Sequence, residues 1–470
     1  MLTGDIGNAY LNAYTTEKIY YRAGPEWGPE LEGTVCVIIR ALYGLKSSAN
    51  AWRQHLCRTL RDEMGFNFSL ADNDVWLRRC TRPDGSEYYT YILIYTDDIL
   101  IVSYEPHTYM KQLQARYYVK EASIGPPRQY LGQQIKKVKD RSGRPAWASS
   151  CDTYVVEAVR IVEARMKILN LAFTKTSRKA TSPFSSSKYK PELDISDFCS
   201  PTEHQFFQQM VGILRWIIEI GCIAICIEVS YLSQYLAQPR VGHMVQAMHI
   251  FSFLKNAQSM DLCYDPTKLN VKESTIIPDE TAAGRAATMK SMYPDAEDLL
   301  PSNAPPPLGR SVQINSFVDA DLAGELTTRR SQTGILVFLC MAPILWYSKR
   351  QNTVECSTFG SEFVAMRILI EILEGLRYKL RMFGVPLDGP CNVFCDNQAV
   401  ITSTMNAECT LKKKNLSIAY HKAREAVAAS VILVFYERSG SNLADLLTKI
   451  LPPPLRRKIM SYICGKVPPA

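Results

Sequence analysis

Two adjacent carboxylates set between two apolar runs constrain this chain more than any other feature. In the segment Tyr91-Ile-Leu-Ile-Tyr-Thr-Asp97-Asp98-Ile-Leu-Ile-Val102 the flanking runs predict a hairpin of buried strands, with the acidic pair at its tip. Ionised carboxylates side by side near a core repel each other and lose hydration. They persist where they are exposed at a turn or neutralised by a metal ion. A third acid, Asp5, opens Asp5-Ile-Gly-Asn-Ala-Tyr10-Leu just after the end of an expected strand. Three carboxylates that converge can hold two Mg²⁺ ions, which align an attacking 3′ hydroxyl with a nucleoside triphosphate and stabilise the leaving pyrophosphate.

The same logic applies a second time, near the other end of the chain. In Phe317-Val-Asp319-Ala-Asp321-Leu-Ala-Gly324 an acid ends an apolar strand, and in Val393-Phe-Cys-Asp396-Asn397 it does so again. Glu362 lies early in an expected helix whose apolar residues Phe363, Met366, Ile370 and Leu373 recur at three and four, which sets Glu362 beside the buried face. Asp445 opens the last helical segment, in Asn442-Leu-Ala-Asp445-Leu-Leu-Thr-Lys449, where a carboxylate also complements the helix dipole.

A chain of 470 residues exceeds one core and predicts two to four domains. With 47% hydrophobic and 21% charged residues it has the composition of a folded protein, not a disordered or fibrous one. The net charge of +8 is clustered at Lys136, Lys137, Lys139, Arg141 and Arg144, at Lys175, Arg178 and Lys179, at Lys412 to Lys414, and at Arg456, Arg457 and Lys458. Such clusters suit phosphate backbones, although each alone also reads as a solvated face. The 14 cysteines include no CxxC pair and read as buried free thiols in a reducing compartment. The start, Met-Leu-Thr-Gly-Asp, lacks the pattern of a secretion signal, and the longest apolar run, 216–227, is too short to cross a bilayer. No membrane partner is expected.

Along the chain, residues 2–135 alternate short apolar runs with Pro, Gly and Asp around one helical stretch at 49–63, an α+β pattern. Helix-spaced apolar residues cover 152–171 and 203–256, separated by a Ser-, Thr- and Lys-rich loop at 174–190. Residues 265–310, with Pro266, Pro278, Pro294, Pro301 and Pro305 to Pro307, read as a linker. Beyond them strands at 312–318, 334–338 and 344–347 precede a helix at 358–383, a strand at 392–395, two helices (the second at 418–429), a strand at 431–436 and a helix from 444. The expected domains are 1–150, 151–264, the linker 265–310, 311–451, and a tail 452–470.

The motifs Asp5-Ile-Gly-Asn-Ala-Tyr-Leu, Ala41-Leu-Tyr-Gly-Leu-Lys46 leading to Trp52, and Tyr95-Thr-Asp-Asp98 together resemble the reverse transcriptase of copia-type LTR retrotransposons. The resemblance implies that Asp5, Asp97 and Asp98 are polymerase carboxylates and metal ligands. Tyr10 would lie under the incoming sugar, and Lys46, with Tyr95, would line the template and nucleotide pocket. Tyr130-Leu-Gly132-Gln is similar to the hairpin that grips the primer terminus, which gives Tyr130 and Gly132 a substrate-binding role. The Asp-Ala-Asp, Ser-Thr-Phe-Gly-Ser-Glu and Ala-Asp-Leu-Leu-Thr-Lys runs resemble the copia-type ribonuclease H, implying Asp319, Glu362, Asp396 and Asp445 as ligands of two Mg²⁺ ions, with Asp321 an outer acid.

The implied architecture is a reverse transcriptase palm without fingers, a helical thumb or connection region, and an α/β ribonuclease H-like domain with a mixed five-stranded sheet. The implied cofactor is Mg²⁺, two per site, with Mn²⁺ as the substitute. The implied partners are an RNA template, a DNA primer, RNA:DNA hybrid and dNTPs, with a homodimer or association with other polyprotein products in a cytoplasmic, virus-like particle that has access to the nucleus.

Phe206-Phe-Gln-Gln-Met-Val-Gly212-Ile-Leu-Arg-Trp216 resembles the family's connecting region, where Trp216 is expected in the core. Three departures stand out. Leu322 and Asn415-Leu-Ser-Ile replace residues common in the family, and four residues, not a fingers domain, precede Asp5. The expectation is a frayed Asp5 and an impaired polymerase. The alternative reading is a non-catalytic nucleic-acid-binding relic.

Overall fold

The structure, a computed structural model, describes residues 1–171, 180–257, 260–269, 282–411 and 413–464. These divide into two compact units, the first formed by Met1–Arg128 with Ser302–Arg310 and Tyr378–Pro386, the second by Gln129–Pro301, Ser311–Arg377 and Leu387–Ala470. The basic residues Lys175, Arg178, Lys179 and Lys412 lie outside the described residues, as do 270–281 of the expected linker and 465–470 of the expected tail.

In the first unit, strands β1 (Leu2–Asp5), β2 (Tyr14–Arg22), β3 (Val35–Arg40), β4 (Asn67–Ser69), β5 (Asp72–Thr81), β6 (Glu87–Tyr95) and β7 (Asp98–Val102) are joined by helices α1 (Ser48–Arg58) and α2 (Pro106–Gln114). An antiparallel sheet runs in the order β1-β7-β6-β5-β4, and β2 and β3 pair separately. Alternation decides which face is covered. Ile92 and Ile94 of β6 and Ile99 and Ile101 of β7 are buried with Trp52 and Leu56 of α1 and Met110 and Leu113 of α2. Trp52, Leu56 and Leu60 recur every four residues, the stripe that a helix needs to lie on a sheet.

Four residues suffice for β1 because both of its edges are used. It pairs antiparallel with β7, and isolated bridges join Thr3 to Gly125 and Ile6 to Val119 on its other side. Leu2 is only 2% exposed. Asp5 is therefore held in a strand, not frayed, because long-range pairing replaces the support that chain length was expected to give.

The second unit begins with strands β8 (Gln129–Tyr130), β9 (Gln133–Lys139) and β10 (Pro145–Ser150), which form a sheet with β11 (Leu262–Cys263), although the first three were expected within a domain ending at 150. Helices α3 (Asp152–Ile168), α4 (Pro201–Glu219), α5 (Cys226–Leu232) and α6 (Val241–Asn256) follow the expected period. Ser200 and Glu203 form a capping box at the start of α4, behind Pro201 at its first position. Helix α7 (Ala282–Met292) is a correction to the expected linker. Its sequence is rich in alanine, the best helix former, and Met289 is 0% exposed; prolines on either side concealed the helix from a reading based on breakers.

The remaining elements are β12 (Ile314–Asp321), β13 (Gln332–Leu339), β14 (Ala342–Arg350), α8 (Thr358–Met382), β15 (Cys391–Cys395), α9 (Gln398–Met405), α10 (Ser417–Ala428), β16 (Ile432–Tyr436), α11 (Asp445–Thr448) and α12 (Pro453–Ile463). Their sheet is ordered β14-β13-β12-β15-β16. The first three strands are antiparallel, while β12 to β15 and β15 to β16 are parallel. This is the mixed five-stranded sheet that the motifs implied. Phe317, Leu336 and Phe394 of this sheet share one continuous core with Met210, Leu214 and Phe251 of the preceding helices. The stretch read as a tail contains α12, which docks through a buried ion pair between Arg456, 3% exposed, and Glu228, 0% exposed.

Removing one partner of a buried pair strands the other charge in a low-dielectric core. Arg456→Leu is expected to lower the unfolding free energy of the second unit by about 3–5 kcal/mol. Urea denaturation followed by circular dichroism measures it, and a loss under about 1 kcal/mol would show that Glu228 reaches water or another cation.

Candidate active sites: two clusters of carboxylates

The larger cluster is assembled at one end of the mixed sheet. Asp319 lies on β12, 3% exposed. The parallel register aligns Phe317 with Phe394, so Asp319 and Asp396 stand two residues further along neighbouring chain segments, and strands are about 4.8 Å apart. Glu362 is the fifth residue of α8, at the edge of the face where Phe363, Met366, Ile370 and Leu373 are all buried, as their period requires. Gln351 fixes this part of the helix by donating to Ser361 O at 2.8 Å and to Thr333 Oγ1 at 3.0 Å. Asp445 opens α11, and Asn442, 0% exposed, clamps this loop to the sheet by donating to Val318 O at 2.9 Å.

Ligand atoms of Glu362, Cys395 and Asp396 lie within 4.8 Å of one another. Burial, then the charges of Asp396 and Asp319, push Glu362 up to about 8. Burial first, and then Asp319, push Asp396 above the usual carboxylate range. Burial and the Asp319 charge also raise Asp445 to about 6, against the opposing hydrogen bond from Lys449. Cys395 donates to Glu362 Oε2 at 3.6 Å, and burial holds its thiol well above the usual range, so it contributes a neutral group. Lys449 Nζ lies 2.7 Å from Asp445 Oδ1 and 3.2 Å from Asp319 Oδ2, and the Thr448 hydroxyl donates to the same Asp319 oxygen. Asp321 ends β12, raised by burial with Lys190 and Lys449 opposing.

The second cluster lies at the tip of the β6–β7 hairpin. Register places Asp5 of β1 directly opposite Asp98 of β7, so their side chains share a face. Asp97 occupies the two-residue turn after Thr96, whose φ of +57° is left-handed, and Ile6 N donates to Asp97 O at 2.9 Å. Trp52 Nε1 pins the turn by donating to Thr96 O at 2.6 Å. Burial, then Asp97 and Asp5, raise Asp98, while Lys120 opposes. Lys120 Nζ reaches Asp5 Oδ2 at 2.8 Å, and Ser123 Oγ accepts from Asp5 N at 2.9 Å.

Both clusters suit hard divalent cations. Asp396 Oδ1 and Asp5 Oδ1 are buried carboxylate oxygens that accept no hydrogen bond, a poor state for an anion unless a cation engages it. All-oxygen donor sets favour Mg²⁺ or Mn²⁺ over softer metals.

Tyr10, half-buried, packs on Tyr43 with ring centroids 4.5 Å apart; Lys46 and Tyr95 are exposed. Tyr130 and Gly132 belong to the second compact unit, where Tyr130 precedes a two-residue hairpin turn formed by Leu131 and Gly132, with φ of +47° and +81°. Trp216 is 47% exposed, not in the core, because α4 turns it toward the surface beside Gly132. Sequence reasoning missed Lys449, Asn442 and Lys120. Lys449 was legible four residues after Asp445, one helical turn away. Lys120, 115 residues from Asp5, left no local signal.

Residues 2–144 match the reverse transcriptase (RNA-dependent DNA polymerase) family. Over 467 residues the chain is 23% identical to the retrovirus-related Pol polyprotein from transposon RE1 of Arabidopsis thaliana, covering 98% of this chain and 27% of that one. It is 23% identical to the corresponding polyprotein from transposon TNT 1-94 of Nicotiana tabacum, covering 95% and 29%. A solved structure of LC11-RNase H1 isolated from compost aligns with 29% of this chain and 92% of that chain at 17% identity and a TM-score of 0.23. The chain thus spans less than a third of the length of these curated relatives.

Glu362 and Asp445 bind a proton more tightly folded than unfolded, where a carboxyl titrates near about 4.3. Folding therefore takes up protons between those values, and stability falls as pH rises from roughly 4.5 toward 8. Without divalent ions, the second unit is expected to melt at a lower temperature at pH 8 than at pH 5.5. Glu362→Gln should flatten this slope, adding on the order of 3 kcal/mol at pH 8. Scanning calorimetry across that window decides it, and a variant with the slope of the unsubstituted chain would show that Glu362 is not buried among acids.

Proposed function

We infer that this chain, similar over nearly its whole length to retrovirus-related Pol polyproteins from transposons, is of the copia type, hydrolyses the RNA strand of RNA:DNA hybrids at the larger cluster and extends DNA primers on RNA at the smaller one. The observation that carries the reading is a set of interacting buried acids, in which ligand atoms of Glu362 and Asp396 lie within 4.8 Å of each other, the Asp319 charge acts on Glu362, Asp396 and Asp445 alike, and Asp396 Oδ1 has no donor.

These four carboxylates would hold two Mg²⁺ ions, and Asp5, Asp97 and Asp98 would hold the pair at the hairpin tip. Bound there, Mg²⁺ supplies Lewis acidity to a phosphodiester and lowers the pKa of bound water. The chain's own residues do the rest. Asn442 and Gln351 fix the loop and the helix turn that carry Asp445 and Glu362, so that the donor set is rigid before substrate arrives. Tyr10 and Tyr43, whose rings pack at a tilt, with Tyr43 acting on Lys120 of the hairpin cluster, offer an apolar wall for a sugar or base.

Nucleic acid as the substrate is supported by a groove of about 450 Å³ lined by Arg215, Arg330, Lys349 and Arg350, with Glu219 as its one acid. Among the described residues, no ion pair engages Arg215, Arg330 or Lys349. Register carries Asp319 to Gly334 and Gly334 to Ser348, a residue of this groove. The groove is therefore on the order of 10 Å from Asp319 across two strand spacings. That separation spans about three nucleotide steps along a duplex.

Incubation of the chain with an RNA:DNA hybrid labelled in the RNA strand is expected to give Mg²⁺-dependent cleavage that falls at least about a hundredfold on Asp396→Asn. Cleavage indifferent to that substitution would remove the site, and none at all would favour a binding relic. On a primed RNA template, extension is expected to be lost on Asp98→Asn, and extension that survives it would place the polymerase centre elsewhere.

A further inference from the structure

The two halves of the larger cluster are neutralised differently. On one side, Lys449 Nζ bridges Asp445 Oδ1 at 2.7 Å and Asp319 Oδ2 at 3.2 Å. On the other, Glu362 and Asp396 take side-chain hydrogen bonds only from neutral groups, the Cys395 thiol and the Asn397 and Ser439 side chains; Lys449 acts on Asp396 through its charge without an ion-pair contact, and Asp396 Oδ1 has no donor. No other side-chain cation is placed against these four acids among the described residues.

Lys449 is placed by its backbone. Its N–H donates to Asp445 O at 3.0 Å, so it closes α11 one turn after the acid it contacts, and it then leaves the helix in extended conformation. Its side chain is 39% exposed, against 3% for Asp319. The side chain thus reaches water along part of its length while its ammonium touches the acids, and a flexible four-carbon stem allows the group to leave without unfolding anything. A divalent ion held by the same two carboxylates would compete with the ammonium for them, and like charges at contact distance repel strongly even near a protein surface.

We propose that Lys449 is a tethered counter-ion of the Asp319 and Asp445 half of the pocket, displaced when a divalent cation binds there, so that the Glu362 and Asp396 half fills first. The inference rests on the ribonuclease H reading of the cluster and adds to it an order of loading and a positioning residue. Until displacement, Lys449 keeps Asp319 and Asp445 together; after it, the freed ammonium lies at the mouth of the pocket, within reach of an anionic substrate.

Two measurements on the full chain test this. In the first, lysines of the unsubstituted chain are acetylated with an N-hydroxysuccinimide ester and each peptide is quantified by mass spectrometry, with and without Mg²⁺. Lys449 should be protected without the ion and modified several-fold faster with it, while exposed Lys111 stays constant. In the second, Mn²⁺ is titrated calorimetrically. The unsubstituted chain should show a tight and a weak step at this pocket, and in Lys449→Met the weak step should tighten at least about tenfold as the competing charge is removed. Binding that is unchanged or weaker in Lys449→Met overturns the proposal, as does labelling indifferent to Mg²⁺ in a chain that binds it. The labelling arm stands even if Lys449→Met fails to fold. A pocket that binds neither ion overturns both the proposal and the reading beneath it, whereas ion-coupled labelling without hybrid cleavage would leave the counter-ion standing and refute the hydrolase alone.

Discussion

Repulsion between carboxylates gathered at the ends of buried strands is the constraint on which the rest of this structure turns. Four acids share one pocket of the second unit, and each is held above its ordinary titration range by burial together with its neighbours, or is buried to 3% and bridged by an ammonium. Nothing in local propensity favours such a grouping. It exists because apolar packing behind it, Phe317, Leu336 and Phe394 with the helices from 201 to 256, is extensive enough to hold strained electrostatics in place.

The two clusters meet the same difficulty with different hardware. At the hairpin tip, two acids lie opposite each other on adjacent antiparallel strands with the third in the turn beside them, and Lys120 reaches in from a distant loop. In the mixed sheet, the acids come from one strand, the segment just past its parallel neighbour, a long helix and a short helix, and the cation caps the same short helix that one of its partners opens. The first arrangement depends on long-range pairing of β1. The second depends on side-chain clamps, Asn442 to Val318 and Gln351 to Ser361, that fix loops against the sheet.

Much of this was written in the sequence because the relevant periods are short. The apolar stripe beside Glu362 and the acid-terminated strands at Asp319 and Asp396 are local patterns, and each element was found close to where its period placed it. Helix α7 was hidden because proline dominates the surrounding composition, although alanine content marks it. The firm seating of Asp5 could not be read at all. It depends on Gly125 and Val119, more than a hundred residues away, and pairing over that distance leaves no trace in a window of neighbours. Trp216 was misplaced for a related reason: an aromatic at helical spacing does not say which side of the helix another element will cover.

The Glu228–Arg456 pair has a bearing on how the second unit comes to exist during synthesis. Glu228 sits at the heart of the connecting helices, yet its only ion-pair partner among the described residues is 228 positions later, on α12. While that stretch is still inside the ribosome, the nascent helices carry a carboxylate that must either be protonated or keep water in their core, and so they cannot settle into their final packing. Completion of the unit is thereby tied to emergence of its last helix, and a message cut short before residue 456 would yield an open intermediate, a ready substrate for chaperones and proteases.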